Sequence, residues 1–235
     1  MTASSRSYGA SGTPAELPLI VRGLKVGRGH RILLGEMDWQ LAAGQAILIT
    51  GPNGTGKTSL LRTIAGFIPP ISGEILLGDS LFAPHQPDSP LTLSYYGMAD
   101  GLGELMTGRD ALKQYCKFRQ HRVRSDSPEI DSPRTDRFSC AAFLDTEIRH
   151  LSGGQRQRLA LSRLALDLAN MDADYLWLLD EPDSALDTEG RLALEEMISD
   201  MLARGGRVMM TSHQPRKMRF EHRVLTLDSQ RQATS

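Results

Sequence analysis

The sequence predicts an α/β fold with a mostly parallel core sheet, an antiparallel β part and a helical subdomain. Three observations carry that expectation. The compact apolar run Ala46-Ile47-Leu48-Ile49-Thr50 leads through a glycine-rich turn into a helical pattern that starts at Lys57. A second apolar run, Tyr175 to Leu179, ends in the paired carboxylates Asp180 and Glu181. Around these runs, strand and helix signals alternate in the first and last thirds of the chain, as they do when helices cover a parallel sheet.

Taken in order, Met1 to Pro18 is rich in Ser, Gly, Thr and Ala and reads as a disordered lead-in that carries no secretory leader pattern. Leu19 to Val26 and Met37 to Leu41 read as strands, followed by the buried strand Ala46 to Thr50. Lys57 to Ala65 places Leu60, Leu61 and Ile64 on one helical face and stops at Gly66. Gly73 to Phe82 reads as a hairpin turning at Gly78-Asp79, and Leu91 to Gly97 as a further strand. Strand signals then cease, and helical segments flank a polar Ser/Pro/Asp/Arg-rich interval, 122–137, expected as a flexible exposed loop. A helix over Gln155 to Leu168, the strand Tyr175 to Leu179, and a helix with Leu194, Met197, Ile198, Met201 and Leu202 on one face follow. Strands at Arg207 to Thr211 and Arg223 to Leu227 complete a single domain over 19–229, with core segments 19–98 and 159–229, a helical subdomain over 99–158, and a tail at 230–235.

Composition narrows the function classes. With 40% hydrophobic and 23% charged residues among 235, the chain has an ordinary globular make-up. Its 27 basic and 28 acidic residues leave a net charge of −1, so no global field draws nucleic acid or an anionic membrane surface. The uncharged stretch Trp39 to Gly56 contains Gln, Asn, Pro and several Gly, which excludes a transmembrane reading. Cys116 and Cys140 form no disulfide framework or metal-ligand spacing, and Cys116 with His121 gives no argument for haem ligation.

Chemistry concentrates at the turn. Gly51-Pro52-Asn53-Gly54-Thr55-Gly56-Lys57-Thr58 fits G-x-x-x-x-G-K-[ST] between a buried strand and a helix start. Its glycines let backbone N–H groups close around phosphates, the helix N-terminus adds partial positive charge, and Lys57 adds a full one. The Thr58 hydroxyl is a candidate Mg²⁺ ligand, and Ser59 follows it on the first helical turn. Loops at the C-terminal ends of parallel strands meet in one crevice. There Asp180 is the second candidate for Mg²⁺ and Glu181 the candidate that polarises the attacking water. Ser152-Gly153-Gly154-Gln155 before a helix offers a second cradle of N–H groups.

With Leu151 in front, that element reads LSGGQ, and here the chain resembles the ATP-binding-cassette (ABC) family. The resemblance implies a P-loop NTPase fold of ABC type and an ATPase coupled to transport, and it covers about Leu19 to Leu227. It further implies that Ser152, Gly153, Gly154 and Gln155 complete the ATP site of an opposing subunit, that Ser184-Ala185-Leu186-Asp187 is the D-loop, and that His213 is the switch histidine orienting Glu181. Two positions depart from the family pattern. Ala99 stands where the Q-loop glutamine is expected, Gln86 lies too early to replace it, and Asp100 is the nearest alternative ligand. Arg28 stands near the place of the aromatic residue that stacks on adenine, and a guanidinium can stack on a base.

Within the family, Gly97-x-x-Asp100-Gly101-Leu102, Leu176 to Pro182 and Ser212-His213-Gln214-Pro215 are similar to the small ATP-binding subunits of haem exporters in cytochrome c biogenesis. That resemblance implies integral membrane subunits and a second cassette as partners, peripheral attachment at the cytoplasmic face of the inner membrane, and no nucleic acid. The same chemistry would serve another exporter, of lipoprotein or small solute, or a non-transport cassette protein of translation or DNA repair. The last would normally show paired cassettes or a long coiled-coil insertion.

Overall fold

The computed structural model describes residues 16–29, 31–86, 88–97, 101–119, 130, 132, 134–169, 174–212 and 217–228. Nine strands and four α-helices follow in the order β1 (Leu19–Arg28), β2 (Arg31–Leu41), β3 (Ala46–Thr50), α1 (Lys57–Ile64), β4 (Ser72–Leu77), β5 (Ser80–Leu81), β6 (Leu91–Tyr96), α2 (Gly108–Arg119), α3 (Gly153–Ala169), β7 (Asp174–Leu179), α4 (Thr188–Ala203), β8 (Arg207–Thr211) and β9 (Arg223–Thr226) among the described residues. Single 3-10 turns at Ala141–Phe143 and Ile148–His150 lie between α2 and α3.

Two sheets form. β6-β7-β8-β3-β9 is entirely parallel, and β2-β1-β4-β5 is antiparallel. The central strands β3, β7 and β8 are buried on both faces, as their near-continuous apolar sequences require, whereas the edge strand β9 is largely exposed. Period-two alternation sorts those strands between two cores. Ile47, Ile49, Leu176, Leu178 and Met209 pack with Leu60, Leu61 and Ile64 of α1 and with Leu19, Val21, Leu24 and Val26 of the antiparallel sheet. Leu48, Tyr175, Trp177, Leu179, Val208 and Met210 pack on the opposite face with Leu159, Leu161 and Leu164 of α3 and with Leu194, Met197, Ile198 and Met201 of α4. Each fully buried large apolar side chain contributes about 1.5–3 kcal/mol, so this two-sided burial fixes the strand ends on which the site stands.

Several expected boundaries shift. The disordered lead-in was expected to reach Pro18, yet Leu17 O accepts a 2.6 Å hydrogen bond from buried Arg207, and Pro18 O accepts one of 2.9 Å from Gly78 N. Residues 1–15 lie outside the described residues. β2 starts at Arg31 rather than Met37, because pairing with β1 through one-residue register shifts outweighs the broken alternation around Gly35. The subdomain boundary at 158 and 159 falls inside α3, which runs unbroken from Gly153. Most of the interval 122–137 lies outside the described residues. Its end is packed and not free: Thr135 is buried and bonded to Ile130 O at 2.9 Å, and Arg137 pairs with Asp200 at 2.7 Å.

The helical part is anchored on the sheet by one buried polar cluster. Arg119 of α2 pairs with buried Asp167 of α3 at 2.9 Å, Tyr115 donates to the same carboxylate at 2.8 Å, and Ser94 of β6 donates to it at 2.5 Å. A charge this deep is tolerated because its lone pairs are occupied. Burial raises the Tyr115 phenol well above its usual range, with the Asp167 charge adding to the rise. Beside the cluster, burial and then Asp167 push the Cys116 thiol up to about 11. Burial likewise pushes Cys140 up to about 12. Both cysteines are therefore packed thiols, and His121 lies outside the described residues.

Candidate nucleotide site

The turn after β3 is made by backbone. Gly51 has φ +145° and a Cβ there would stand 2.3 Å from Leu227 O, so only glycine lets the turn pass β9 this closely. Gly56 caps α1 at φ +100° without any side-chain bond, leaving the first N–H groups of α1 to a ligand. Thr55 braces the turn by donating to Pro52 O at 2.9 Å. Lys57 is buried, and its ammonium donates to Gly51 O at 2.7 Å and Pro52 O at 3.0 Å, so a full positive charge lies inside the turn. Thr58 and Ser59 are half-buried on the first turn of α1, while Pro52, Asn53 and Gly54 are exposed.

Sheet order brings the carboxylates to this edge. β8 lies between β7 and β3, and all three run the same way, so Asp180, Ser212 and Gly51 leave the sheet on one side. Asp180 is buried, donates its N–H to Tyr96 O at 2.8 Å, and accepts from the Thr211 hydroxyl at 2.8 Å. Glu181 is half-buried in the left-handed region at φ +51°, and its N–H donates to the same Thr211 oxygen at 2.8 Å. Ser212 N donates to Ile49 O at 3.0 Å, hooking the end of β8 onto β3. Burial raises the Tyr95 phenol, Arg62 opposes the rise and the Asp180 charge adds to it.

The residues at the turn fit a bound phosphate chain: α1 starts without a capping side chain, a lysine charge is enclosed, and no Cβ obstructs Gly51. For Mg²⁺ the protein offers one hydroxyl and one carboxylate. Among the described residues no group of three or more His, Cys, Asp or Glu could hold a metal. Few protein ligands, with phosphate and water completing an octahedral shell, is the usual manner of magnesium binding.

The signature residues form a second structure. Ser152 N donates to Gln155 Oε1 at 2.9 Å and Gln155 N donates to Ser152 Oγ at 3.2 Å, a reciprocal capping box at the start of α3. Ser152 and Gly153 are exposed in this arrangement and Gly154 is half-buried. This platform packs on the Ser184–Asp187 segment, where a Cβ on Gly154 would stand 3.3 Å from Ala185 O.

That segment is held by two residues the sequence reading passed over. Gln157 donates to Pro182 O at 2.7 Å and accepts from Ala185 N at 2.7 Å. Arg158 donates to both oxygens of Asp187 at 2.7 Å, and Asp187 caps α4 by accepting from Gly190 N at 2.9 Å. The Gly190 amide first, and Arg158 next, hold the Asp187 carboxyl below the usual carboxylate range. The only signal for these roles is that both residues follow the signature directly on α3. His213, Ala99, Asp100 and the side chain of Arg28 lie outside the described residues; Gln86 sits in the turn before β6, where Ser89 N donates to its carbonyl at 3.1 Å.

Residues 34–184 match the family described as ABC transporter. The chain is 36% identical over 197 residues to the cytochrome c biogenesis ATP-binding export protein CcmA of Pseudomonas putida, covering 84% of this chain and 90% of that protein. It is 36% identical to the protein of that name from Methylococcus capsulatus, covering 91% and 99%, and 37% identical to that from Maricaulis maris, covering 83% and 86%. In fold it is similar to an ATP-binding protein of an ABC transporter from Pyrococcus furiosus, with TM-score 0.71 over 89% of this chain and 97% of that one. The dimeric structure of MJ0796, a bacterial ABC transporter cassette, gives TM-score 0.71 over 90% and 94%. The chain belongs to the ABC transporter family.

Proposed function

We propose that this chain is the ATP-hydrolysing subunit of a haem exporter of cytochrome c biogenesis, working as one of two cassettes beneath integral membrane subunits at the cytoplasmic face of the inner membrane. The observation that carries the ATPase reading is the convergence of Lys57, Asp180 and Glu181 at one edge of the parallel sheet. The export reading is supported by relatives named as cytochrome c biogenesis ATP-binding export proteins, aligned over 83–91% of the chain. No helix among the described residues is long and apolar enough to cross a membrane, so a transport role requires other subunits to supply the path.

In this reading the amides of residues 51–58 and the N-terminus of α1 bind the β- and γ-phosphates. Lys57 releases the loop carbonyls and turns its ammonium onto the phosphate oxygens. Thr58 and Asp180 hold Mg²⁺, which neutralises charge on the phosphates when bound. Glu181 accepts the proton of the attacking water, oriented by His213. The signature N–H groups Gly153 and Gly154, with Ser152 and Gln155, face the γ-phosphate held by the opposing cassette, so hydrolysis requires two cassettes. Arg28 stacks on the adenine.

Expression in a bacterium lacking its own cytochrome c biogenesis ATPase tests the whole reading. Recovery of haem-stained c-type cytochromes by the intact chain, with no recovery by Lys57→Ala, is the expected result. Stable protein that hydrolyses ATP but restores no c-type cytochrome would move the assignment to another exporter.

A further inference from the structure

We propose that Thr211 is a positioning residue that sets the metal-holding and water-activating carboxylates of the site in register with each other. The inference rests on the roles assigned above to Asp180 and Glu181. Thr211 ends β8 and is fully buried, with no exposed surface. Its hydroxyl donates to Asp180 Oδ1 at 2.8 Å and accepts from Glu181 N at 2.8 Å. A hydroxyl has one proton and two lone pairs, so giving the proton to the carboxylate leaves a lone pair for the amide, and both bonds form at once. The resulting chain, amide to hydroxyl to carboxylate, is polarised in one direction and strengthens itself in a dry environment.

Two further features give the bond more than a packing role. Glu181 is one of two non-glycine residues with positive φ among the described residues, and at +51° it adopts a conformation that L-residues rarely hold without an anchor. The anchor on its own N–H is the Thr211 hydroxyl. The strand that carries this hydroxyl is hooked to β3 at the next residue, through Ser212 N and Ile49 O, two positions before Gly51. Movement of the phosphate turn is thus passed by β8 to both carboxylates through one oxygen atom.

Valine has nearly the same shape as threonine but can neither donate nor accept. Thr211→Val leaves the Glu181 amide without its partner, frees the Asp180 carboxylate to rotate, and removes the anchor of the left-handed residue. The expected result is a fall in kcat of about tenfold or more, the scale of one buried donor left unmade. Half-saturation by Mn²⁺, read by electron paramagnetic resonance on the complex with a non-hydrolysable ATP analogue, is expected to rise several-fold. Metal-free affinity for the same analogue stays within about twofold, because it rests on Lys57 and the loop amides. Thr211→Ser keeps the hydroxyl and restores both readouts. Thr211→Cys, of similar bulk and with a weak donor, gives intermediate values and replaces the valine variant if that chain does not fold.

Normal Mn²⁺ binding and turnover in Thr211→Val would overturn the proposal, with losses confined to Thr211→Ser reducing the residue to its packing methyl; equal losses in Thr211→Val and Thr211→Ser would overturn it too, since the retained hydroxyl would then restore nothing. Glu181→Gln separates this failure from that of the site itself: wild-type turnover in Glu181→Gln removes the catalytic reading, whereas slow turnover there beside normal turnover in Thr211→Val removes only the role of Thr211.

Discussion

The turn at Gly51–Thr58 and the platform from Ser152 to Asp187 both present N–H groups at a helix start, yet they are held by opposite means. In the first, all of the holding is local: glycines with positive φ at 51, 54 and 56, Thr55 and Lys57 donating to loop carbonyls, an apolar strand behind and a helix ahead, all within one short segment. In the second, side chains hold the backbone, with Gln157 and Arg158 of α3 reaching 25 to 29 residues along the chain to Pro182, Ala185 and Asp187. A local backbone cradle is stiff and binds by itself. A platform assembled by side chains from distant segments can transmit: whatever moves the Ser184–Asp187 segment moves the signature with it.

On that division, the largest effect belongs to Glu181, the carboxylate proposed to act on water between the two platforms. Glu181→Gln is expected to lower kcat by roughly two to four orders of magnitude while ATP affinity stays near wild type, since removing a positioned general base costs on that scale. Single-turnover hydrolysis and equilibrium nucleotide binding on the same preparation check it. Next comes the cradle itself. Lys57→Ala removes charge-assisted bonds worth about 1.5–3 kcal/mol each, hence about a tenfold to hundredfold loss of ATP affinity in the isolated chain. Such a loss must appear without any second cassette, and affinity unchanged within twofold would break the claim that the first platform binds alone.

The complementary test loosens the second platform. Gln157→Ala leaves the Ala185 amide and the Pro182 carbonyl without their 2.7 Å partners. ATP binding by the single chain is expected unchanged, while ATP-dependent dimer formation and steady-state hydrolysis fall by about three- to tenfold, the effect of one or two neutral hydrogen bonds. Analytical ultracentrifugation with the nucleotide in excess reads the first, and phosphate release across a dilution series reads the second. Loss of ATP affinity in the monomer would show that the two platforms are not separate.

The same division explains what the sequence could reveal. The Gly51–Thr58 cradle was legible because each of its determinants, apolar strand, glycines, lysine and helix period, lies within about a dozen residues of the others. The parallel sheet was legible for a like reason, since strands buried on both faces are continuous apolar runs. Legibility failed where a residue acts at long range. Gln157 and Arg158 read only as part of a helix, Thr211 as the last residue of a strand, and Leu17 as part of a disordered lead-in, because the partners of each lie 25 to 190 residues away. The first half of β2 was missed because Gly35 breaks its alternation, and pairing with β1 along Val26 to Arg28 is a tertiary fact that no local pattern carries. The reciprocal bonds of Ser152 and Gln155, by contrast, stand in the sequence as S-x-x-Q ahead of a helix, and the structure shows that the signature glycines lie inside an ordinary capping box.

The smallest effect is a titration, and it too divides the platforms. No carboxylate occurs within Gly51–Thr58, so that turn has no group of its own that titrates between about pH 3 and 5. The second platform has Asp187, whose carboxyl is held below its usual range by the Gly190 amide and by Arg158. A carboxyl depressed on folding lends stability that is present above its unfolded value, near 3.9, and that is lost as pH falls through the folded value. The contribution is modest because Asp187 is exposed and its ion pair with Arg158 is screened by solvent. In a nuclear magnetic resonance titration, the Gly190 amide shift should therefore follow a single proton with a midpoint below 3.9, and Asp187→Asn should abolish that inflection while leaving the amides of residues 51–58 unmoved. A midpoint at or above the ordinary value would mean that the amide and guanidinium do not hold the carboxylate in solution, and that the start of α4 is tied to the signature helix by packing alone.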